Sequence, residues 1–344
     1  MNRCHPRPRG PHPAGTRSTV TWARLRAAAL GLAALTAAGG AAGCAARAAS
    51  PPAPVTSGSA ASAQAPAASG SPAASATAGA TCDPAASSLA PLGPPQVTPG
   101  SFMAKIKARG YLIAGVDANT YHFEYFNPRD GDFEGFDIDM IRAVAQAIFG
   151  NPDKVEYKAI TDDARIPDVN NGSVDIVAHT MTITCDRLKE VDFSTVYFDA
   201  HQQVLVLDSS HAAGLNDLGG QNVCATKGSD SVNAVEASPA HPKLVTVQYI
   251  TDCLVQLQQG QVAAITTDNT ILEGLEAQDP FTKIVGPYLT NEPYGLAISK
   301  DHPEFVRFVN AVLENERRSG AWQASYRSWI GSPAPVPPAA GYAS

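Results

Sequence analysis

Between residues 111 and 329 the hydrophobic pattern switches repeatedly between a strand period and a helix period. Short β-branched or aliphatic runs at 111–116, 155–160 and 174–178 alternate with amphipathic or charged stretches at 136–149 and 163–171. The alternation then recurs, with strands expected at 222–225, 244–247, 262–266 and 282–285 and helices at 229–237, 251–259 and 268–278. Such alternation builds parallel sheets covered by helices on both faces. The two series are of similar size and are joined by extended runs near 200–207 and 290–298. The expectation is an α/β fold of two lobes with two crossing strands, closed by helices at 303–318 and 322–329. A hairpin within 123–136 should turn at Asp130-Gly131, and the 136–149 helix should stop at Gly150. Ligands of open α/β sheets sit beyond the carboxyl ends of the strands, which places a site between the lobes.

The first hundred residues cannot join such a fold. Residues 1–43 hold six arginines and no acid, and Arg24 and Arg26 precede an apolar run at 27–42. That run is too short and too small-sided for a stable membrane span and reads as an export leader. It ends in Ala41-Ala42-Gly43-Cys44, small residues before a cysteine, as in a bacterial lipobox that makes Cys44 the lipidated first residue. Ala41 stands where Leu is usual, and ordinary secretory cleavage nearby is the alternative. Residues 44–100 are rich in Ala, Pro and Ser and lack the large apolar side chains that offset ordering entropy. They read as a tether with a reach of roughly 40 Å. Residues 331–344 read as a loose tail. The folded part is then 101–204 with 292–330 as lobe 1, and 205–291 as lobe 2. Loss of the leader lowers the net charge from −7 to −13. No basic surface for nucleic acid is expected, and a monomer is.

Beyond Cys4 and Cys44, four cysteines remain: Cys82, Cys185, Cys224 and Cys253. An even number in an exported chain favours two disulfides, with three possible pairings. No Cys-x-x-Cys spacing is present, and His179 is the one histidine within six residues of these cysteines, so no metal site is expected.

Residues 172–187 concentrate carboxylate chemistry. A strand reaching Val177 leads into a loop with hydroxyls at Thr180, Thr182 and Thr184, and Arg187 follows. A guanidinium offers two parallel N–H donors to a carboxylate, and each Thr can add one. The second series supplies residues 226–231, Thr-Lys-Gly-Ser-Asp-Ser, between a strand and a helix. Ser229 there suits an anion, although a plain helix cap at Ser229 or Asp230 accounts for it equally, and the phosphate-loop spacing is absent. Asp268 ends one strand and opens a helix, either as a cap or as an acceptor for an ammonium. Asp117 holds the matching position after the first strand. Together Arg187 and Asp268 would clamp both charges of a zwitterion.

Residues 135–139 (Gly-Phe-Asp-Ile-Asp), 165–167 (Arg-Ile-Pro), 172–176 (Gly-Ser-Val-Asp-Ile), 180–184 with Arg187, 191–194 (Val-Asp-Phe-Ser) and Tyr197-Phe198 resemble the family 3 extracellular solute-binding proteins. The leader, tether and cysteines resemble actinobacterial glutamine/glutamate-binding lipoproteins of ABC transporters. The resemblance implies a type II periplasmic-binding-protein fold and a receptor without cofactor or reaction. It implies Arg187 on the α-carboxylate with Thr182 and Ser229 in support, and Asp268 with the Thr180 region on the α-ammonium. Tyr121 and Asp117 would face the ligand side chain. Residues 161–164, Thr-Asp-Asp-Ala, depart from the family by lacking an aromatic wall. Arg165 and His179 are then candidate donors to a distal carboxylate or amide, which favours glutamate, aspartate, glutamine or asparagine. The implied partner is a membrane permease, with a signalling adaptor as the alternative. An enzyme of the dehydratase type would need a paired acid and base, and nothing in the sequence pairs Glu124 with His179. A lobe-closing mechanism also constrains the cysteines. A bridge across the lobes would restrain hinging, so Cys82–Cys185 and Cys224–Cys253 are expected, contributing about 4.7 and about 3.5 kcal/mol by the loop-entropy estimate.

Overall fold

The computed structural model describes residues 82–343; the leader, Cys44 and the rest of the tether up to residue 81 lie outside the described residues. Helix α1, Phe102–Arg109, opens the first lobe between a Ser101 cap and a left-handed Gly110. Sequence reading passed over it because only Met103 and Ile106 are buried along it. Strand β1, Leu112–Val116, follows, and then a small sheet of β2, Asn119–Thr120, β3, Glu124–Asn127, and β4, Asp132–Glu134. Helix α2, Phe136–Phe149, buries Ile138, Ile141, Val144, Ala145 and Ile148 and ends at a left-handed Gly150, as its pattern predicts. Next come β5, Val155–Ala159, α3, Arg165–Asn170, β6, Ile176–Val177, α4, Arg187–Glu190, and β7, Asp192–Phe193.

The chain crosses on β8, Phe198–Leu207, one unbroken ten-residue strand. The second lobe runs β9, Asn222–Thr226, α5, Ser231–Glu236, β10, Lys243–Val247, α6, Ile250–Gln258, β11, Ala264–Asp268, α7, Asn269–Gln278, and β12, Thr282–Val285. Strand β13, Asn291–Tyr294, returns antiparallel to residues 198–201 of β8. Then β14, Ala297–Ile298, α8, Pro303–Ser319, and α9, Ala321–Trp329, complete the first lobe.

The first sheet has the order β5-β1-β6-β14-β7 and the second β10-β9-β11-β8-β12, with β13 on β8. Neither is purely parallel, contrary to the expectation from βα alternation. The βα strands pair in parallel, but β14 pairs antiparallel with β6 and β7, and β8 with β11 and β12. The reason is the crossing itself: each lobe completes its sheet with chain arriving from the other. A cluster of Phe123, Phe136, Phe198, Tyr294 and Trp322 fills the first lobe beside the crossing. The second core gathers Leu205, Leu257, Ile265 and Leu272 around the Cys224–Cys253 bridge. Each such side chain contributes about 1.5–3 kcal/mol on burial.

Ordered structure extends beyond both limits set by composition. Residues 82–100 were expected to be tether, yet Ser88 is buried and its hydroxyl donates to the Phe193 carbonyl at 2.6 Å. Asn310 of α8 donates to Ser88 Oγ at 2.7 Å and to the Leu89 carbonyl at 2.8 Å, and accepts from Thr195 N at 2.8 Å. The tail was expected to be loose, yet Tyr342 bridges to Ser88 and Ala343 N donates to the Ser88 carbonyl at 2.8 Å. Polar contacts between distant residues hold both segments, and low hydrophobicity says nothing about those. Both disulfides take the expected pairing. Cys82–Cys185 is exposed at Cys82, whereas Cys224 and Cys253 are fully buried. Among the described residues no helix is long and apolar enough to cross a membrane.

Candidate functional site

A cleft holding about 530 Å³ of empty space, part of it open to solvent, lies where the carboxyl ends of the strands of both lobes face each other. From the first lobe it is lined by Asp117, Arg165, His179, Thr180, Thr182 and Arg187, and from the second by Ser229 and Asp268. Eight of the nine expected ligand residues therefore share one cleft.

The ninth, Tyr121, does not. It is 40% exposed and lies tilted against His122 and edge-on to Tyr125, ring centroids 4.2 and 5.5 Å away, on a separate surface. Thr120 lines the cleft in its place, donating to Asp117 Oδ2 at 2.8 Å. Strand β2 ends at Thr120, and Tyr121 opens the turn closed by Phe123 N donating to the Thr120 carbonyl at 3.2 Å, which carries its ring away from the cleft.

The loop after β6 is set from beneath. Thr180 adopts a left-handed φ of 40°, and its N–H donates to Asp137 Oδ2 at 2.9 Å. Asp137 also accepts from Tyr197 OH at 2.7 Å. Next to it Glu124 is fully buried, and burial together with Asp137 and Asp117 pushes its carboxyl well above the usual range. The structure brings Glu124 Oε1 to 3.8 Å from His179 Nδ1, two residues that no motif pairs.

Arg187 holds its position by donating from Nη1 to the Thr182 carbonyl at 2.7 Å and from Nη2 to the Gly228 carbonyl at 3.3 Å. Burial and the neighbouring Arg165 lower its pKa to about 10, so the group is still a cation at neutral pH. Arg165 is committed elsewhere. Its Nε donates to the Asp162 carbonyl, Nη1 to the His179 carbonyl and Nη2 to the Gly228 carbonyl, at 2.9, 3.2 and 3.1 Å, and it pairs with the Asp162 carboxylate at 2.8 Å. These hydrogen bonds engage three of its five guanidinium N–H groups, and the residue still lines the cleft.

Asp268 stands at the N-cap position of α7 but makes no cap bond. Its carboxylate instead accepts from Tyr294 OH on the crossing strand β13, at 2.5 Å. Burial and then Glu292 push its pKa up to about 8. A buried carboxyl next to an open cleft, short of a cation, is a ready acceptor for an ammonium. Ser229 Oγ is turned back to the Thr226 carbonyl at 2.8 Å, and α5 begins only at Ser231. Sequence reading missed Asp162, Gln248 and Thr267 of the lining. It also missed Tyr294 and Glu292, which flank Asp268 from a strand far away in sequence. Among the described residues no cluster of His, Cys, Asp or Glu is placed to hold a metal.

Two α/β lobes joined by two crossing strands, with a polar cleft between them, define a type II periplasmic-type binding protein. The chain belongs to the bacterial extracellular solute-binding proteins, family 3, whose model matches residues 112–332. It is 36% identical over 229 residues to the ABC transporter glutamine-binding protein GlnH of Bacillus subtilis (strain 168), covering 66% of this chain and 84% of the relative. It is 38% identical over 206 residues to the glutamine-binding protein of Geobacillus stearothermophilus, covering 60% and 79%. An ancestral arginine-binding protein solved with glutamine bound matches at a TM-score of 0.62 and 34% identity, over 65% of this chain and 99% of that one.

Proposed function

We propose that this chain is an extracytoplasmic receptor for a polar amino acid, which it encloses between its lobes and delivers to the permease of an ABC importer. The carrying observation is that Arg187 of the first lobe and Asp268 of the second line one cleft. A guanidinium and a carboxylate facing one space match the α-carboxylate and α-ammonium of an amino acid. Thr180 and Thr182 stand on the same loop as Arg187, and Ser229 enters from the opposite lobe. Side-chain selection falls to Asp117, Thr120 and His179, all polar, which favours glutamine, asparagine, glutamate or aspartate. The names of the relatives favour glutamine. Binding draws the lobes together because each contributes contacts that only the closed form completes. No reaction is part of this reading. Cys44 is the proposed lipid attachment point, and the residues after it the tether.

Calorimetry of the purified protein against the twenty amino acids tests the reading. A polar amino acid should bind, and Arg187→Ala should weaken it at least about thirtyfold, because a desolvated charge loses its partner. Absence of binding to all twenty would overturn the proposal.

A further inference from the structure

Glu124 and Asp137 form a buried pair of carboxyls beneath the cleft. Both are 0% exposed, and neither lines the cleft. The start of α2 brings them together: Asp137 N donates to the Phe123 carbonyl at 3.0 Å, and Glu124, the next residue, opens β3. Thr180 touches both. Its N–H donates to Asp137 Oδ2 at 2.9 Å, and its hydroxyl donates to Glu124 Oε1 at 3.4 Å.

No cation neutralises the pair. Among the described residues no Lys or Arg forms an ion pair with either carboxyl. The basic group nearest Glu124 is His179, whose Nδ1 stands 3.8 Å from Oε1, beyond hydrogen-bond length. Asp117 and Tyr197 also act on Glu124. Asp117 adds negative charge, and Tyr197 keeps its proton because burial and Asp137 push it well above its usual value. Two carboxylates side by side in a dry interior repel, so one of the two takes a proton.

The donors decide which one. Asp137 accepts Thr180 N on one oxygen and Tyr197 OH, at 2.7 Å, on the other. It also lies in the first turn of α2, where the helix dipole favours an anion. Glu124 has only the long Thr180 contact, and its Oε2 is buried without a partner. Burial raises the Asp137 carboxyl too, but the Thr180 and Tyr197 bonds pull it back, whereas burial, Asp137 and Asp117 all raise Glu124. A proton on Oε2 turns an orphaned acceptor into a donor, and the Asp137 carboxylate, in hydrogen-bond contact with the Glu124 side chain, receives it.

We infer that Glu124 is a positioning residue: as a neutral acid it donates a hydrogen bond to the Asp137 carboxylate, and this pair holds the left-handed Thr180 turn from which Thr180, Thr182 and Arg187 reach the ligand. The Thr180 φ of 40° costs free energy that fixed partners must offset. Glu124 itself touches no ligand. The inference rests on the amino-acid-receptor reading for what the turn grips.

The test compares the wild type with Glu124→Gln and Glu124→Leu. Gln keeps both parts of the acid, an N–H for Asp137 and an oxygen for Thr180, so amino-acid affinity by calorimetry should stay within about twofold of wild type. Leu keeps bulk and loses the donor, so affinity should fall about tenfold, and the Thr180 amide should exchange faster in the ligand-free protein. The infrared spectrum of ligand-free wild type minus that of Glu124→Gln, at neutral pH, should show a protonated-carboxyl stretch; Asp268 is common to both and cancels. Raising the pH should weaken wild-type affinity more than that of Glu124→Gln, because only the acid can ionise and repel Asp137. Absence of the infrared band would mean that Glu124 is an anion and would overturn the assignment. So would a Glu124→Gln variant weakened like Glu124→Leu, the result expected of an anion paired with His179. Wild-type affinity and Thr180 protection in Glu124→Leu would remove the positioning role. If Glu124→Leu does not fold, the infrared band and Glu124→Gln decide. If the wild type binds no amino acid, the receptor reading falls, and the band and Thr180 exchange still judge Glu124 on their own.

Discussion

Lys227 of the second lobe reaches across the cleft to Asp163 of the first, Nζ to Oδ2 2.9 Å. Gln248 crosses beside it, Nε2 to Asp163 Oδ1 2.9 Å, and Thr161 steadies the same oxygen at 2.6 Å. Neither Lys227 nor Asp163 lines the cleft, so the pair acts on closure and leaves the ligand untouched. These bonds hold the Asp163 carboxyl at about 2, with the Thr161 hydroxyl first and Lys227 next. A depressed value means the contribution is present at neutral pH and is lost as pH falls toward 2. The pair is solvent-exposed and worth about 0.2–1 kcal/mol, so Asp163→Asn should weaken ligand affinity by a factor of about 1.4 to 5, mainly through faster release. Wild-type affinity should fall with added salt more steeply than that of Asp163→Asn. Equal salt slopes in stopped-flow release measurements would remove the latch.

Burial and the neighbouring Glu292 hold the Asp268 carboxyl well above the usual carboxylate range. Its folded value, near 8, lies above the ordinary one near 4, because burial and Glu292 disfavour the anion. In the free protein its contribution to stability is therefore complete below about pH 4 and is lost as pH rises through about 8. An ammonium docking on it favours the anion, so binding at pH 7 should release up to about one proton. Calorimetry in two buffers of different ionisation enthalpy reads that number directly. Asp268→Asn should abolish the release and weaken binding at least about thirtyfold. Buffer-independent heats in the wild type would mean that no ammonium meets Asp268.

The two disulfides differ in access. Cys82 is exposed, while both Cys224 and Cys253 are fully buried beside Leu257 and Ile265. Thiolate exchange requires access to a sulfur. Mild reductant on the folded protein should therefore open Cys82–Cys185 and leave Cys224–Cys253 intact until unfolding. Alkylation followed by peptide mapping would show label on Cys82 and Cys185 alone; equal labelling of all four would contradict the burial difference.

The sites that sequence reading placed well share one property: their signals are local. Asp268 ends strand β11 and Arg187 opens α4 after the hydroxyl-rich loop that follows β6, and the end of a strand in an α/β lobe faces the cleft wherever the chain leads next. Tyr121 lies off the cleft for an equally local reason, since the chain turns directly after Thr120 and hydrophobicity does not show where that turn begins. What could not be read depends on residues far apart in the chain. Ser88 and Asn310 are 222 positions apart, and composition alone assigned the first to a tether. The commitment of Arg165 to the Gly228 carbonyl is a contact between lobes, with a backbone atom that no motif advertises. Tyr294 was read only as part of an extended run, although its hydroxyl sets the direction of the Asp268 carboxylate.

Asn310 is the buried centre of the strap formed by residues 82–92. Three bonds meet at its amide, to Thr195, Ser88 and Leu89. Asn310→Ala leaves the Thr195 N–H and the Leu89 carbonyl without that partner, at a cost of about 1–3 kcal/mol each before relaxation, while the Ser88 hydroxyl keeps the Phe193 carbonyl. The strap should loosen while the cleft keeps its affinity, because none of these residues lines it. Hydrogen exchange should rise in 84–92 and 340–343 with little change in 136–149. Unchanged protection in the strap would mean that the disulfide and the tail alone hold it.

Closure itself can be blocked at a single position. Gly228 has φ +83°, and a Cβ there would lie 2.8 Å from Asp163 N and Cα of the opposite lobe. Its carbonyl accepts from both Arg165 and Arg187. Gly228→Ala therefore meets backbone, which cannot swing aside as a side-chain tip can. The clash exists only with the lobes together, so the open form carries just the left-handed penalty of about 1–2 kcal/mol. Ligand affinity should fall at least tenfold, and small-angle scattering with saturating ligand should report a larger radius of gyration than for the wild type. If Gly228→Ala closed and bound like the wild type, the contact between Gly228 and Asp163 would not belong to the ligand-bound form, and the cleft geometry drawn from it would have to be revised.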